Sequence, residues 1–578
     1  ITTPILVPFL YIIPIVLLSL LMSGILARYG FLRNGTSMGV VIFLTVFIPF
    51  MTISTAVVNE IYSKVYKPKL LPKIEFKEGI PEKCKTFLVI PTLITNKKRV
   101  KELAENLETH YLSNKEKNIY FGIIGDFADS EKEEMEDDHE ITEEGLKWIN
   151  KLNEKYAGDE NIFYYFHRRR VYSKTEGKWT GWERKRGALV EFNNLISGKK
   201  DTTFYVISGN VENLTEKIKY VITLDADTKI PIGGVNKLVG TISHPLNSPE
   251  VYKYRDIVRE GFGIIQPRIT VNMESANKSL FTRIYAGHGG IDPYTTSVSN
   301  VYQDVFGEGI FKIPENSILS HDLIEGIYLR AGLASDIELV DEYPWKYNSY
   351  IMRQHRWVRG DWQLIKFLFS RDRSINAISR WKIWDNMRRS ISPIATMLTL
   401  ILGIIIFPGN KYIWIGISLI SLFMPFIIGF IESILYRNFR ISMIKINGNI
   451  ITGWKGLIYQ GTLSFMFLPY ESYMMADAII RTLCRVFITK KNLIQWTTAF
   501  DVEKELTNDI KSYFELMNKG VLISVLTLAL VYILNPHNIW IGLIISFLWF
   551  ISPIAAFKIS NEDKDEKKMI SEKDLRTL

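Results

Sequence analysis

KYVITLDADT, Lys219–Thr228, is the stretch on which the fold turns. The run Val221–Leu224 offers no polar face until two aspartates follow, one alanine apart. A strand with no polar face is buried on both sides, as strands in parallel sheets are. In open parallel sheets, ligands bind beyond the carboxyl ends of the strands. Asp225 and Asp227 therefore lie where a site is expected. On alternate residues they can both approach one divalent ion, and hard oxygen ligands favour Mg2+ or Mn2+. Ordinary turns also produce D-x-D, so the surrounding pattern has to carry the metal reading.

That pattern extends outward in both directions. TFLVIPTLI (Thr86–Ile94), YFGIIGDF (Tyr120–Phe127), NIFYYFH (Asn161–His167) and GFGIIQPRI (Gly261–Ile269) read as further strands. VKELAENLETHYL and LKWINKLNEKY read as amphipathic helices between them. The alternation predicts an α/β domain, a mainly parallel sheet with helices on both faces. Asp126 closes YFGIIGD as a second strand-end carboxylate. The acidic stretch Ser130–Glu144 reads as a solvated loop. In SHDLIEG (Ser320–Gly326), Asp322 opens an apolar helix, either as a structural N-cap or, in the same cleft, as a proton acceptor.

The α/β domain is inserted between apolar blocks. Of 578 residues, 47% are hydrophobic and 23% charged, with the two classes segregated along the chain. Six segments read as crossing a bilayer, which takes about 20 residues: Pro4–Ile25, Gly39–Val58, Ile391–Phe407, Tyr412–Leu435, Val521–Leu534 and Ile539–Phe557, the fifth being short as bounded and extending a few residues earlier. Lys and Arg crowd the stretches Asn59–Arg389 and Arg437–Lys511, which places both in the cytoplasm by the positive-inside rule. Arg28 and Arg33, on the predicted outer side, are a mild violation. Phe465–Trp496, broken by Pro469, reads as helices lying in the membrane interface or as cytoplasmic helices on the soluble domain. The expected organisation is two membrane helices over 1–60, the α/β domain over 61–390 and two membrane helices over 391–435. Interfacial helices over 436–516, two membrane helices over 517–560 and a cytoplasmic tail over 561–578 complete it.

Several chemistries find no support. Two cysteines, Cys84 and Cys484, make no disulfide framework. There is no G-x-x-x-x-G-K-[ST] loop, no H-E-x-x-H and no Cys-x-x-Cys pair. No serine or cysteine sits in a nucleophile-elbow context beside His321 or His355. The net charge of +9 suits an anionic membrane surface or a phosphorylated ligand. Without a zinc-finger or RNA-recognition signature it does not suggest nucleic acid.

RQHRWVRGDWQ, Arg353–Gln363, sets three arginines, two tryptophans and a carboxylate just before an apolar segment. Arginine grips diphosphate oxygens with a planar fork, and tryptophan offers a flat face to a sugar ring. The same composition would also anchor a helix to lipid headgroups.

Together, Asp126, Asp225 with Asp227, Asp322, and Arg353 with Arg356 and Trp357 resemble the pattern of processive, membrane-bound glycosyltransferases of the GT-A fold. HRRR…WTGWERKRGAL (from His167), GFGIIQPRI, GIDPYTTSVSNVYQDVFGEGIF, PENSILSHDLIEG and RQHRWVRGDWQL resemble one branch, the glucosyltransferase module of cyclic β-1,2-glucan synthases. The resemblance runs over nearly the whole chain. It implies transfer of glucose from UDP-glucose to a growing β-1,2-glucan with inversion, at the bacterial inner membrane, the catalytic domain being cytoplasmic. It also implies site roles. Asp322 is the catalytic base, and Asp126, Lys185, Asp225 and Arg356 bind the donor, with Asp126 at the uridine, Lys185 and Arg356 at the diphosphate, and Arg353 and Arg359 as neighbours. Arg353 and Trp357 bind the acceptor, and Asp225 and Asp227 hold the metal. Cyclisation and phosphorylase-like domains are expected downstream in the full-length protein.

Two departures stand out. Arg353 occupies a position where cellulose-type synthases carry glutamine. Phe311 runs directly into Lys312, where the family has a glycine-rich stretch. Two other readings remain at this point. One is a polysaccharide synthase of the cellulose or hyaluronan type, and the other a transporter regulated by a sugar-nucleotide-binding domain.

Overall fold

The computed structural model describes residues 6–65, 70–158, 160–209, 211, 214–215, 217–252, 257–286, 314–320, 322–372, 374–435, 451, 453–495 and 509–562. The GIDPYTTSVSNVYQDVFGEGIF motif, the Phe311–Lys312 junction and most of the expected tail lie outside these residues.

Five strands form the main sheet: β1 (Thr86–Ile94), β2 (Ile119–Phe127), β3 (Phe163–Arg168), β4 (Phe204–Ile207) and β5 (Tyr220–Thr223). Their order is β4-β3-β2-β1-β5. β1 pairs in parallel with β2 and β5, and β2 with β3, while β4 runs antiparallel to β3. Alternation along the strands sorts the side chains. Leu88, Ile90, Phe121, Ile123, Phe163 and Tyr165 pack on one face with the helices Lys97–Ser113, Asp138–Tyr156 and Gly234–Ile242. Phe87, Val89, Tyr120, Ile124, Tyr164 and Phe166 pack on the other with Arg184–Ile196. The predicted mainly parallel sheet with helices on both faces is what the chain builds. From β1 the chain steps to β2 and β3 on one side, and β5 lies on the other. The carboxyl ends of β1 and β5 thus flank the switch point where such sheets bind ligands.

A second parallel pair, β6 (Ile264–Val271) and β7 (Ala331–Asp341), lies beside the turn after β5. It is tied there by two backbone hydrogen bonds between Lys229 and Val340, 2.7 and 2.9 Å. β7 escapes the sequence pattern because AGLASDIELVD mixes glycine and carboxylates into a strand. The acidic stretch also differs from expectation. The helix Asp138–Tyr156 begins inside it, and Asp138 is buried rather than solvated. Arg170 neutralises it through Nη1 and Nη2 at 2.5 and 3.0 Å. Asp138 and Glu140 also suit the positive end of the helix dipole.

Among the described residues, four helices are long and apolar enough to cross a membrane: Phe9–Asn34, Thr36–Val65, Ala377–Ile405 and Pro536–Ile559. Ile510–Leu516 and Asn518–Leu534, bent by 65°, make a fifth if taken as one span. The remaining predicted span falls on the 25-residue helix Lys411–Leu435.

Pro469 does not break its helix, which runs unbroken from Gly453 to Leu483. A proline frees the carbonyl four residues earlier, here that of Phe465. The Trp549 indole N–H donates to that oxygen at 3.0 Å. Pro14 and Pro49 repeat the arrangement: Tyr62 Oη donates to Leu10 O at 2.8 Å, and Thr399 Oγ1 to Thr45 O at 3.1 Å. Each freed carbonyl is met by a side chain from another part of the bundle, as an apolar setting demands. Phe467, Tyr470, Met474, Met475 and Ala478 of the Gly453–Leu483 helix pack with Tyr347, Ile351, Val358 and Trp362. Leu468 of the same helix packs with Leu400, Ile404, Val531 and Trp549 of the apolar helices, so this segment touches both regions, while Ile480, Phe487 and Ile488 beyond remain exposed.

Candidate active site

β5 ends at Thr223, so Asp225 and Asp227 occupy the turn beyond it. Lys185 Nζ lies 2.5 Å from Asp225 Oδ1. The lysine is delivered by WTGWERKRGAL, in which Glu183 and Arg184 both take positive φ, 52° and 56°. Two successive non-glycine residues in that region need the surroundings to hold them. Arg184 Nη2 donates to Asp129 Oδ2 at 2.6 Å, Glu183 accepts from Arg186 Nη2 at 2.7 Å, and the Asn316 N–H also donates to Glu183. Gly187 closes the turn, since a Cβ there would meet Trp182 O at 1.9 Å.

Asp126 is placed differently from its expected role. Arg168 grips both its oxygens, Nε to Oδ1 at 2.7 Å and Nη2 to Oδ2 at 2.6 Å. Fully buried Arg168 also donates to Trp182 O, Arg184 O and Glu191 Oε2 at 2.9, 3.0 and 3.2 Å. Gly181 presses on this pair, because a Cβ would lie 2.6 Å from Asp126 Oδ2. Asp126 thus braces the turn that presents Lys185 before it can meet any ligand.

Asp341, at the end of β7, joins the acidic group and was not singled out in the sequence. Thr228 Oγ1 reaches its Oδ1 at 3.4 Å. Burial raises the carboxyl pKa values of Asp227 and Asp341, and repulsion between them and from Asp225 raises them further. Burial also works against the Lys185 charge. The attraction of Asp225, Asp322 and Asp227 outweighs it and leaves the lysine above its ordinary value. Among the described residues, no three His, Cys, Asp or Glu side chains are gathered as a ready-made metal site.

Asp322 begins the helix Asp322–Tyr328. The loop before it is docked on the Tyr347–Gln363 helix: Leu319 N donates to Gln363 Oε1 at 2.6 Å, and Gly360 leaves room for Ser320. One turn after Asp322 lies Glu325, 5% exposed. Burial, then Asp322, pushes its pKa up to about 8, against the pull of Arg186 and Lys185.

The Tyr347–Gln363 helix divides RQHRWVRGDWQ between two environments. On one face, the Arg353 guanidinium carbon lies 5.3 Å from the Tyr343 ring centre and 4.8 Å from that of Trp357. Arg356 is pushed down to about 10 by burial and by Arg353, while Asp225 and Asp227 oppose the shift. The other face roots the helix. His355 Nε2 is 2.8 Å from Asp477 Oδ2, Arg359 Nη2 donates to Gln495 O at 2.9 Å, and Trp362 Nε1 to Ser390 Oγ at 2.8 Å. Lys185, Asp225, Asp227, Asp322, Arg353, Arg356 and Trp357 are thus drawn to one cleft. Asp126 stands behind it, and Arg359 is held on Gln495 O and repelled by Arg485 and Arg481. Sequence reasoning missed Asp341, Glu325, Glu183 and Arg168. The left-handed turn at Glu183–Arg184 has no sequence signal, whereas Arg168 lay within a quoted motif.

No protein-family model matches the chain. It is 37% identical over 532 residues, 89% of its length, to the cyclic β-(1,2)-glucan synthase NdvB of Rhizobium meliloti (strain 1021). The resemblance drawn from the motifs thus holds along the sequence. The chain spans 19% of that relative's length. A solved structure titled mannosyltransferase PcManGT from Pyrobaculum calidifontis, in complex with GDP-Man and Mn2+, aligns over 77% of this chain and 100% of its own. Its identity is 9% and its TM-score 0.38, too low for any inference.

Proposed function

We propose that the chain is an inverting, processive membrane glucosyltransferase of GT-A type that adds glucose from UDP-glucose to a growing β-1,2-glucan. The observation that carries this reading is the cleft at the switch point, where Lys185, Asp225, Asp227, Asp322 and Arg356 act on one another electrostatically. The 37% identity over 89% of the chain supports the same reading. The α/β part between the two sets of apolar helices is taken to be cytoplasmic, at a bacterial inner membrane.

Asp322 accepts the proton of the acceptor hydroxyl, which a positioned base rewards with about 10²–10⁴-fold in rate. The hydroxyl oxygen attacks the anomeric carbon opposite the diphosphate. The bond to the β-phosphate oxygen breaks, and UDP departs with the electron pair, so an α-linked donor gives a β-linked product. Lys185 and Arg356 hold the diphosphate, and Trp357 stacks on the acceptor sugar. Asp126, through Arg168, shapes the turn facing the uridine. Asp225 and Asp227 would hold Mg2+ or Mn2+. Closely spaced like-charged carboxylates are an excess of hard oxygen donors that a divalent cation would relieve. An ion held there would supply neutralisation of the charge on the leaving diphosphate.

The test is incubation of the membrane-embedded chain with UDP-glucose and Mg2+ or Mn2+, followed by linkage analysis. β-1,2-Linked product is expected. Another linkage would turn the reading toward a cellulose- or hyaluronan-type synthase, and absence of UDP-glucose turnover would end it.

A further inference from the structure

Arg353 does not sit as a contact for a neutral sugar should. Its Nε and Nη2 are buried and have no hydrogen-bond partner among the described residues. These two nitrogens form one edge of the guanidinium, the flat fork that fits two oxygens of a phosphate or carboxylate. The plane carrying that edge is fixed by the rings of Tyr343 and Trp357, so the fork is ordered before any ligand arrives.

We propose that Arg353 is a second fork for the phosphate oxygens of the nucleoside diphosphate, beside Arg356, and not a contact of the acceptor sugar. The inference rests on the reading of the cleft as a nucleotide-sugar site and names one more residue of it.

A buried ionised donor without a partner is costly, and hydrogen bonds to ionised groups are roughly twice as strong as neutral ones. A sugar hydroxyl would satisfy one N–H and leave the positive charge uncompensated. Arg353 and Arg356 lie one helical turn apart and repel each other. The nearby carboxylates of Asp227 and Asp341 feel Arg353, yet none of them occupies the buried edge. A diphosphate would fill that edge and turn two repelling cations into a clamp. Arginine at this position, where cellulose-type synthases have glutamine, then adds an anion contact, and Trp357 alone remains for the acceptor.

The experiment is calorimetric titration of the full chain in lipid nanodiscs with UDP and with UMP, in Mg2+, for wild type, R353K and R353Q. Thermal unfolding checks that each variant is folded. R353K keeps the charge and the ring contacts but loses the fork. Both variants are expected to weaken UDP binding about tenfold or more, to change UMP binding little, and to leave the KM for a β-glucan oligosaccharide acceptor unchanged. An unchanged UDP affinity with a raised acceptor KM would return Arg353 to the acceptor. Failure of the wild type to bind UDP would overturn this inference and the nucleotide-sugar reading together, whereas UDP binding by wild type and variants alike would overturn this inference alone.

Discussion

The α/β part and the helical bundle solve the burial of polar groups in different ways. Around the sheet, buried charge is met by opposite charge: Arg168 with Asp126 and Glu191, Arg170 with Asp138, and Arg186 with Glu183. In the bundle, backbone carbonyls freed by Pro14, Pro49 and Pro469 are met by Tyr62, Thr399 and Trp549. Where charge is buried on the bundle side it too is paired, buried Asp385 with Arg388 and with Arg389, and Arg388 Nη1 reaches Thr52 Oγ1 at 2.7 Å. The candidate site lies where the two regimes meet, and there like charges crowd together. Asp227 and Asp341 repel, Glu325 is buried beside Asp322, and Arg353 Nε and Nη2 have no hydrogen-bond partner among the described residues. Structural regions set opposite charges against each other, whereas a region that crowds like charges is suited to meet a ligand.

The largest expected effect falls in that seam. Asp322→Asn should lower glucosyl transfer about 10²–10⁴-fold with the unfolding midpoint and UDP affinity unchanged. Retained turnover would remove Asp322 from the base role. Arg168→Met should do the reverse in order of cause. Stranding Asp126 and Glu191 costs about 3–5 kcal/mol of stability, read by thermal or chemical unfolding, and activity falls only as the fold does. If Arg168→Met lost activity at full stability, Asp126 and Arg168 would belong to the site after all.

A pH series sharpens the contrast further. Folded Glu325 titrates near 8, above an ordinary carboxyl, so between those values the folded chain holds more protons than the unfolded one. Stability therefore falls as pH rises through that window. Glu325→Gln should flatten this slope and be the more stable protein at its alkaline end. Parallel slopes in both proteins would show that Glu325 is solvated. The smallest effect belongs to the bundle. Trp549→Phe should lower stability by about 1 kcal/mol, seen in the thermal midpoint in detergent. No change would mean that the Phe465 carbonyl finds another donor.

Much of this architecture was legible because it rests on local pattern. TFLVIPTLI and YFGIIGDF have no polar face and became central strands, and VKELAENLETHYL kept its amphipathic helix. β7 was not legible, because its carboxylates and glycine deny it an apolar run, and with it Asp341 was missed. Ser130–Glu144 misled because an acidic run looks solvated until Arg170, distant in sequence, neutralises Asp138. Pro469 misled because the donor that rescues its helix lies 80 residues from it.

The sequence by itself determined which residues can be strand, amphipathic helix or apolar helix, since periodicity and side-chain chemistry are local properties. It also determined that Asp225 and Asp227 follow a buried strand. Only the tertiary structure decided which partners each carboxylate meets. Asp126 closes a strand and Asp225 follows one, and nothing local distinguishes them. The fold turns Arg168 onto the first and sets Lys185, Asp322 and Arg356 around the second, because neutralising a buried charge depends on partners the chain supplies from elsewhere.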